Sequence, residues 1–427
     1  MANIWRFPYI VGQNGGSAFL LVFLICLLLI GIPVFITEIL IGRSTRFNPS
    51  AAFEKLSGSK KWAMAGKMTI LTGFLVSSFY AAVAGWIFGY LIEACKGELT
   101  HFTSAEQASV HFAALSADPI WTFSTFATFV FLATGVLYFG VKDGIERGNK
   151  IMMPALFVIL LLIWLRALFL PGAVEGIVFL LTPDWSMLGP AAVLTALGQS
   201  FFTLSLGQGT MVTYGSYLGK RDNLVQSCLW VVGMDLLISL LAAAAIFSVV
   251  FFAGAAHDSG PALFFHTLPL VFSKLPGGNL FAIFFFLLVF LAALTSQISA
   301  MEPAIAYIID RRAWSRKWAV CFIGIAVLLA GIPSALSTNI FADSTLFGMT
   351  PLTGMSFLCS NILIPFGGFA AVVLVGWSWG IKQGVEALQE GAEPYFKKNK
   401  WLTSYFWFCI KYLAPVLIGV VFIHAIL

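Results

Sequence analysis

The chain has 427 residues, of which 59% are apolar and only 10% are charged, and its mean hydropathy is +0.93. A water-soluble domain is usually about 45–50% apolar and about 25% charged, so this chain has too few charges to cover a water-exposed surface. The composition excludes a soluble enzyme and a disordered or fibrous chain, and it leaves a membrane protein with many spans. Because a span needs about 20 apolar residues, the length allows roughly ten to twelve helices with short loops.

Long apolar runs follow one another along the chain and predict ten full spans. They are apolar throughout, whereas the strands of a membrane β-barrel alternate over about ten residues, so we predict a bundle of α-helices. A shorter amphipathic piece at 3–14 precedes them. The predicted spans are 17–42, 63–94, 120–140, 151–171, 188–217, 225–254, 278–309, 318–334, 352–379 and 404–427.

Basic residues are distributed unevenly between alternate loops. The loops on one side carry 18 lysines and arginines, and those on the other side carry only Lys96 and Lys274. Because loops rich in lysine and arginine stay in the cytoplasm, residues 43–62 are predicted to be cytoplasmic, and residues 1–16 and the C-terminus to lie outside. The 18 basic residues are Arg43, Arg46, Lys55, Lys60, Lys61, Lys142, Arg147, Lys150, Lys220, Arg221, Arg311, Arg312, Arg316, Lys317, Lys382, Lys397, Lys398 and Lys400.

Polar side chains crowd the middle of the predicted span 188–217. Gly207, Gln208 and Gly209 form a poor helix centre, so a break is predicted there, and a break frees backbone groups to bind ions and a substrate. The alternative is packing of small residues against a neighbouring helix, with local hydroxyl-to-backbone hydrogen bonds. The polar side chains of this stretch are Gln199, Ser200, Thr203, Ser205 and Gln208.

Three further spans contain polar groups within apolar sequence. The hydroxyls of Thr295, Ser296 and Ser299 suit a hard cation such as Na⁺, and bonding to the helix backbone is the alternative. Asp235 is a carboxylate in mid-span with no lysine or arginine at similar depth, which indicates an ion or a proton as its partner. Glu38 lies near the end of its span, which favours a structural role as acceptor for the amides of a broken helix.

Patterns typical of enzymes do not occur in the sequence. The six cysteines form no CxxC pair, the five histidines lie in loops or at the end of the last span, and there is no glycine-rich phosphate loop or HExxH motif. These features argue against a zinc site, a disulfide framework and a haem-carrying subunit. We therefore expect neither an enzyme nor a partner of nucleic acid.

Several motifs along the whole chain are shared with one transporter family. They are NIWRFPY at 3–9, NGG at 14–16, GIP at 31–33 with Glu38, KDGIE at 142–146, TPD at 182–184, GQSFFTLSLG at 198–207 and ALTS at 293–296. They resemble the neurotransmitter:sodium symporter family, most closely its bacterial amino-acid transporters. The resemblance implies a single transporter domain of two inverted five-helix repeats, 1–171 and 188–379, with an extra helix at 404–427 and helices 1 and 6 broken at mid-membrane.

The resemblance also implies two sodium sites made of oxygen atoms. The substrate carboxylate would complete the first site, and carbonyls of helix 1 would complete the second. In this chain the first set is Asn3, Thr203 and Asp235, and the second is the Ala292 carbonyl, Thr295 and Ser296.

A substrate pocket and two gates follow from the same resemblance. Tyr80 aligns with the tyrosine that meets the substrate carboxylate, and Phe202 would also be the outer lid. Arg6 matches the outer-gate arginine, and Tyr217 with Asp310 resembles the inner gate. The implied pocket residues are Ala2, Val76, Tyr80, Phe202, Ser205, Gln208, Ser296 and Ala300.

Asp235 departs from the family pattern in a way that bears on chloride. Chloride-dependent members carry an asparagine there and recruit a chloride ion, whereas Asp235 supplies a fixed negative charge. Phe23 also stands where a chloride-site tyrosine would be expected. We therefore predict transport without chloride, although Ser239 is of the chloride-dependent type.

The outer gate and the pocket contain further departures. The acid that pairs with the gate arginine aligns with Ser356, so the gate would close through water or through another acid such as Asp343. Gln208 and Ala300 replace bulky apolar groups, so Ala300 makes room while Gln208 offers a hydrogen-bond donor and an acceptor. This predicts a large or polar substrate side chain, such as an aromatic one.

The expected function is sodium-coupled import of an amino acid by alternating access across a bacterial inner membrane. The expected partners are the amino acid, Na⁺ and the lipid bilayer, with the protein a monomer or a weak homodimer. Proton coupling through Asp235 and a channel or non-transporting receptor are the alternatives. The sequence also lacks a match to the inner half of helix 1, for which an upstream start is the favoured explanation.

Overall fold

The computed structural model describes residues 2–219, 222–253, 263–345 and 347–426, and these residues form helices without a β-strand. The main helices are α1 Ala2–Gln13, α2 Ser17–Thr45, α3 Lys60–Lys96, α4 Pro119–Tyr138, α5 Arg147–Leu168, α6a Pro190–Thr203, α6b Thr210–Tyr217, α7 Leu224–Ala253, α8 Gly278–Arg312, α9 Arg316–Ala335, α10 Pro351–Ser378 and α11 Trp401–Phe422. Short helices in the connections are Pro49–Ser57, Ala105–Ala117, Ala173–Leu181, Leu268–Lys274, Ile381–Gln389 and Glu393–Lys398.

The predicted spans agree with this arrangement. Within the described ranges, nine helices are long and apolar enough to cross a membrane, and each corresponds to one predicted span. The tenth span, 188–217, consists of the two shorter helices α6a and α6b, so the break predicted there is confirmed. The amphipathic piece before the first span is the helix α1.

The helix ends define two faces of the bundle. The basic face is where α2, α4, α6b, α8 and α10 end, and the opposite face is where α3, α5, α7, α9 and α11 end. At the basic face, the Asn48 side chain accepts hydrogen bonds from the amides of Ser50 and Ala51 and so begins the helix Pro49–Ser57.

Arg43 is predicted to lie in a basic loop, but in the structure it is buried. Its side chain is only 2% exposed. The guanidinium donates to the carbonyl oxygens of Asp222 at 2.9 Å and Ala387 at 2.5 Å. It therefore joins the end of α2 to the segment after α6b and to the helix Ile381–Gln389.

Two apolar clusters form the interior. One contains most of the buried side chains of α3, α4, α8 and α9, and the other most of those of α2, α6a, α10 and α11. At about 1.5 Å per residue, the 37 residues of α3 and the 35 of α8 run over 50 Å, well beyond a hydrocarbon core of about 30 Å. These two helices therefore cross at a tilt or extend beyond the core.

Candidate functional site

A cavity of about 190 Å³ lies beside the break in α6, with walls from both apolar clusters. Almost every pocket and sodium residue predicted from the sequence lines it. Those residues are Asn3, Val76, Tyr80, Phe202, Thr203, Ser205, Gln208, Asp235, Ala292, Thr295, Ser296 and Ala300. The remaining one, Ala2, lies in α1, and its side chain is outside the described part of the structure.

The α6 break spans 204–209 and is stabilised from α2. Ser205, Gly207 and Gly209 have positive φ angles of 53°, 74° and 75°, which interrupt the helix. The amide of Gly207 donates to Glu38 Oε1 at 2.7 Å, and Glu38 is 1% exposed. The carboxylate thus satisfies an amide that the break leaves without a helical partner. The structural role predicted for Glu38 is confirmed.

Asn3, Thr203 and Asp235 come together at one end of the cavity. The Asn3 amide donates to Asp235 Oδ1, and the Thr203 hydroxyl lies 2.5 Å from Asn3 Oδ1 and 2.9 Å from Asp235 Oδ2. The single proton of the Thr203 hydroxyl therefore has two candidate acceptors, Asn3 Oδ1 and Asp235 Oδ2. The cluster brings together oxygens from α1, α6a and α7. Because hard cations prefer oxygen ligands, this cluster is chemically suited to Na⁺.

The second predicted sodium set is also assembled, on α8. Thr295 Oγ1 and Ser296 Oγ both donate to the Ala292 carbonyl oxygen, at 3.1 and 2.9 Å. This is the hydroxyl-to-backbone bonding that the sequence left open as an alternative. It uses the hydroxyl protons but leaves lone pairs on both oxygens, and those can still accept a cation.

Two polar atoms at the cavity wall are buried without a formed hydrogen bond. The Tyr80 hydroxyl lies beside Ser296 but makes no hydrogen bond of normal geometry with the described residues. Gln208 Oε1 accepts no hydrogen bond from the described residues. Buried polar groups in proteins are nearly always paired, so unpaired ones at a cavity indicate where a ligand binds.

Phe202 and Tyr80 separate this cavity from a larger one of about 710 Å³ that extends toward the opposite face. The Arg6 guanidinium lies 4.6 Å from the centre of the Phe202 ring and lines the larger cavity with Ser356. Within the described ranges, Arg6 has no carboxylate at ion-pair distance. The guanidinium is therefore positioned by the face of the Phe202 ring rather than by an acid.

The two residues predicted to form the inner gate have different partners in the structure. Tyr217 donates to Glu302 Oε1 at 2.6 Å rather than to Asp310. Asp310 instead accepts hydrogen bonds from the backbone amide and the side chain of Asn48. Tyr217 ends α6b, and its hydroxyl reaches back to Glu302, two helical turns before Asp310 on α8.

Glu302, a polar residue within the apolar sequence of its span, forms an ion pair with Arg316 that the sequence did not predict. Arg316 binds both carboxylate oxygens of Glu302 at 2.8 Å, and the Glu302 side chain is fully buried. A carboxylate within an apolar span indicates a buried partner, but Arg316 begins α9 next to a loop, so its sequence position does not identify it as that partner. Together with Tyr217, the pair joins α6b, α8 and α9 on the basic side of the cavity.

The comparison with known families identifies this arrangement. A model described as the Sodium:neurotransmitter symporter family matches residues 1–112 and 120–427. The chain belongs to the sodium:neurotransmitter symporter family. The symporter is thus a multi-pass membrane protein of a sodium-dependent transport family, and not of an enzyme family.

Individual relatives agree with this assignment. The symporter is 36% identical over 426 residues to an uncharacterized sodium-dependent transporter, YhdH, of Bacillus subtilis, covering 100% of this chain and 93% of the relative. It is 26% identical over 476 residues to a sodium-dependent serotonin transporter of Drosophila melanogaster, covering 100% and 73%. The crystal structure of MhsT in complex with L-phenylalanine matches with a TM-score of 0.90 and 38% identity, over 99% of this chain and 95% of that one. The fold of inverted five-helix repeats with an eleventh helix is confirmed.

Proposed function

We propose that the symporter imports an amino acid together with Na⁺. The observation that carries this proposal is the single cavity that joins the Asn3–Thr203–Asp235 oxygen cluster to the unpaired Tyr80 hydroxyl at the helix break. The complex of MhsT with L-phenylalanine supports an amino acid as the substrate class.

Each end of an amino acid has matching groups at the cavity wall. The Tyr80 hydroxyl and the first amides of α6b can donate to the substrate carboxylate, since the first amides of a helix have no partner within it. Na⁺ bound at the Asn3–Thr203–Asp235 cluster would neutralise the same carboxylate. The substrate amino group would meet the carbonyl oxygens that the break exposes.

The second ion would bind at the Ala292 carbonyl, Thr295 and Ser296, whose oxygens line the same cavity. One Na⁺ moving down 100 mV supplies about 2.3 kcal/mol, so one or two ions can drive strong accumulation. For import, the basic face lies in the cytoplasm, as its lysines and arginines require.

Chloride is not needed in this proposal. Asp235 already supplies a negative charge at the first ion cluster. The Phe23 ring is 1% exposed and packs edge-on against Phe7 with ring centres 5.1 Å apart. The Ser239 hydroxyl donates to the Asp235 carbonyl at 2.7 Å. The negative charge of Asp235 and the packing around Phe23 and Ser239 therefore disfavour a bound anion here.

Transport by the purified protein in liposomes tests the proposal. We expect one or a few of the twenty amino acids to accumulate only with an inward Na⁺ gradient, and equally well when gluconate replaces chloride. Internal substrate should also exchange for external substrate. Uptake driven by a proton gradient without Na⁺ would contradict sodium coupling, and absence of exchange would indicate a channel or a receptor.

Asp235→Asn tests the ion cluster directly. Loss of a charged oxygen ligand, worth about 1.5–3 kcal/mol, should raise the Na⁺ concentration for half-maximal uptake at least about tenfold. Glu106→Gln, which removes an exposed acid far from the cavity, is the control and should leave that concentration unchanged. An unchanged sodium dependence of Asp235→Asn would exclude Asp235 as a direct ligand.

A further inference from the structure

Two polar side chains of the α6 break line the cavity without a hydrogen-bond partner among the described residues. Gln208 is only 7% exposed, and its Oε1 is fully buried with no hydrogen bond from the described residues. The Ser205 hydroxyl lines the same cavity and has no hydrogen bond within the described ranges. A buried carbonyl oxygen without a donor is unfavourable, so this position is suited to a ligand that donates a hydrogen bond.

Most other polar side chains of the cavity are already committed. Asn3, Thr203 and Asp235 contact one another, and the hydroxyls of Thr295 and Ser296 donate to the carbonyl of Ala292. Tyr80 is the remaining one, and it is assigned to the substrate carboxylate above. This leaves the side chains of Ser205 and Gln208 for the variable part of the substrate.

The backbone of Gln208 is closely packed, which fixes where its side chain leaves the main chain beside the cavity. A Cβ atom at Gly73 of α3 would lie 2.7 Å from the Gln208 carbonyl oxygen, which shows how closely the two backbones approach. On one side, a Cβ at Gly207 would lie 1.9 Å from the Ile364 carbonyl oxygen. The segment is thus held between α3 and α10, so the Gln208 side chain starts from a closely packed position on the cavity wall.

Charge and polarity around Gln208 limit the kind of side chain that fits. Among the described residues of the cavity wall, Asp235 alone has a charged side chain, and it belongs to the ion cluster. Val76, Phe202, Ala300 and Ile364 supply apolar surface. An acidic substrate side chain would have no cation here, and a basic one would compete with Na⁺ for Asp235. A neutral side chain with one hydrogen-bond donor matches the wall best.

We propose that Gln208, assisted by Ser205, selects amino acids whose neutral side chain donates a hydrogen bond, namely a hydroxyl, a carboxamide or an indole N–H, over their apolar isosteres. This inference rests on the proposed amino-acid transport. An apolar isostere leaves the Gln208 amide buried and unpaired, whereas the donating side chain satisfies it. The difference corresponds to about 5- to 150-fold in apparent affinity.

Pairs of amino acids with nearly equal shape provide the test. Tyrosine with phenylalanine, threonine with valine, and asparagine with leucine are compared by competition for sodium-dependent uptake, and by thermal stabilisation of the purified protein in Na⁺. We expect the donating member of the best-bound pair to compete at least about fivefold more effectively. This comparison uses the unaltered protein and does not depend on the folding of a variant.

Gln208→Met then assigns the preference to Gln208, because methionine has similar length and no amide. The variant should reduce the preference within the pair to less than about twofold, chiefly by losing affinity for the donating member. Ser205→Ala should reduce it partly, and Gln383→Met at an exposed position should leave it unchanged. A variant that keeps the full preference would overturn the role of Gln208.

The two proposals fail in different ways. Sodium-dependent transport that favours phenylalanine, valine and leucine over their partners would overturn the selection by Gln208 and retain amino-acid transport. Absence of any sodium-dependent effect of the twenty amino acids would overturn the proposed function itself, and with it the selection.

Discussion

Gly207 is the residue on which the α6 break depends most directly. Its φ of 74° is costly for residues with a Cβ, and its amide donates a hydrogen bond to Glu38 Oε1. A Cβ would also meet the Ile364 carbonyl oxygen at 1.9 Å, where backbone cannot move aside easily. Three features therefore constrain this glycine: the backbone conformation, the hydrogen bond to a buried carboxylate and the close packing against α10.

Gly207→Ala should destabilise the symporter and abolish sodium-dependent uptake. The positive φ alone costs about 1–2 kcal/mol, and the clash with the α10 backbone adds about 1–3 kcal/mol. The melting temperature of the purified protein and its uptake in liposomes measure the effect. Gly198→Ala in the same segment is the control, because no heavy atom lies within 4 Å of a Cβ there. Equal behaviour of the two variants would contradict this account.

The end of α6b, the interior of α8 and the start of α9 are joined by a buried ion pair and a hydrogen bond. Glu302 comes from the middle of α8, Arg316 begins α9, and Tyr217 ends α6b. Breaking a buried pair by removing one partner is costly because the other charge stays buried. The Glu302 carboxylate is fully buried, so loss of Arg316 would leave its charge without a partner.

Arg316→Ala should cost about 3 kcal/mol of stability, the lower part of the range for buried pairs, since the Arg316 side chain is 22% exposed. The Glu302→Gln and Arg316→Gln double variant should recover part of that loss, because no uncompensated charge remains. Thermal unfolding in detergent measures both. Lys150→Gln breaks a pair whose side chains are 72% and 53% exposed, so it should cost less than about 1 kcal/mol. A similar loss for Lys150→Gln and Arg316→Ala would contradict the importance of burial.

At the scale of the molecule, the cavity lies between two apolar clusters and is separated from the opposite face by Phe202 and Tyr80. The larger cavity beyond them forms a path toward that face, while Glu302 and Arg316 close the basic face. The two ends of the site are thus closed by different chemistry, an aromatic ring under Arg6 on one side and an ion pair on the other.

The orientation predicted from the basic loops can be measured with a native cysteine. Cys95 is exposed at the opposite face, near the end of α3. A membrane-impermeant maleimide should label it in cells whose inner membrane is intact, and Cys95→Ser should lose that label. Lys397→Cys, at an exposed position of the basic face, should react only after lysis when placed in the Cys95→Ser background. The reverse pattern would invert the topology and exclude import with the basic face inside.

The sequence by itself determined the class of protein, the positions of the spans, the break at Gly207–Gly209 and the grouping of Asn3, Thr203 and Asp235. Composition, apolar length, glycine content and family motifs act locally, so they can be recognised without distances. Only the tertiary structure decided that Tyr217 binds Glu302 rather than Asp310, that Arg43 is buried, and that Gln208 remains unpaired. These outcomes depend on how closely helices remote in sequence approach one another, because a polar side chain takes whichever partner the packing brings within hydrogen-bond distance.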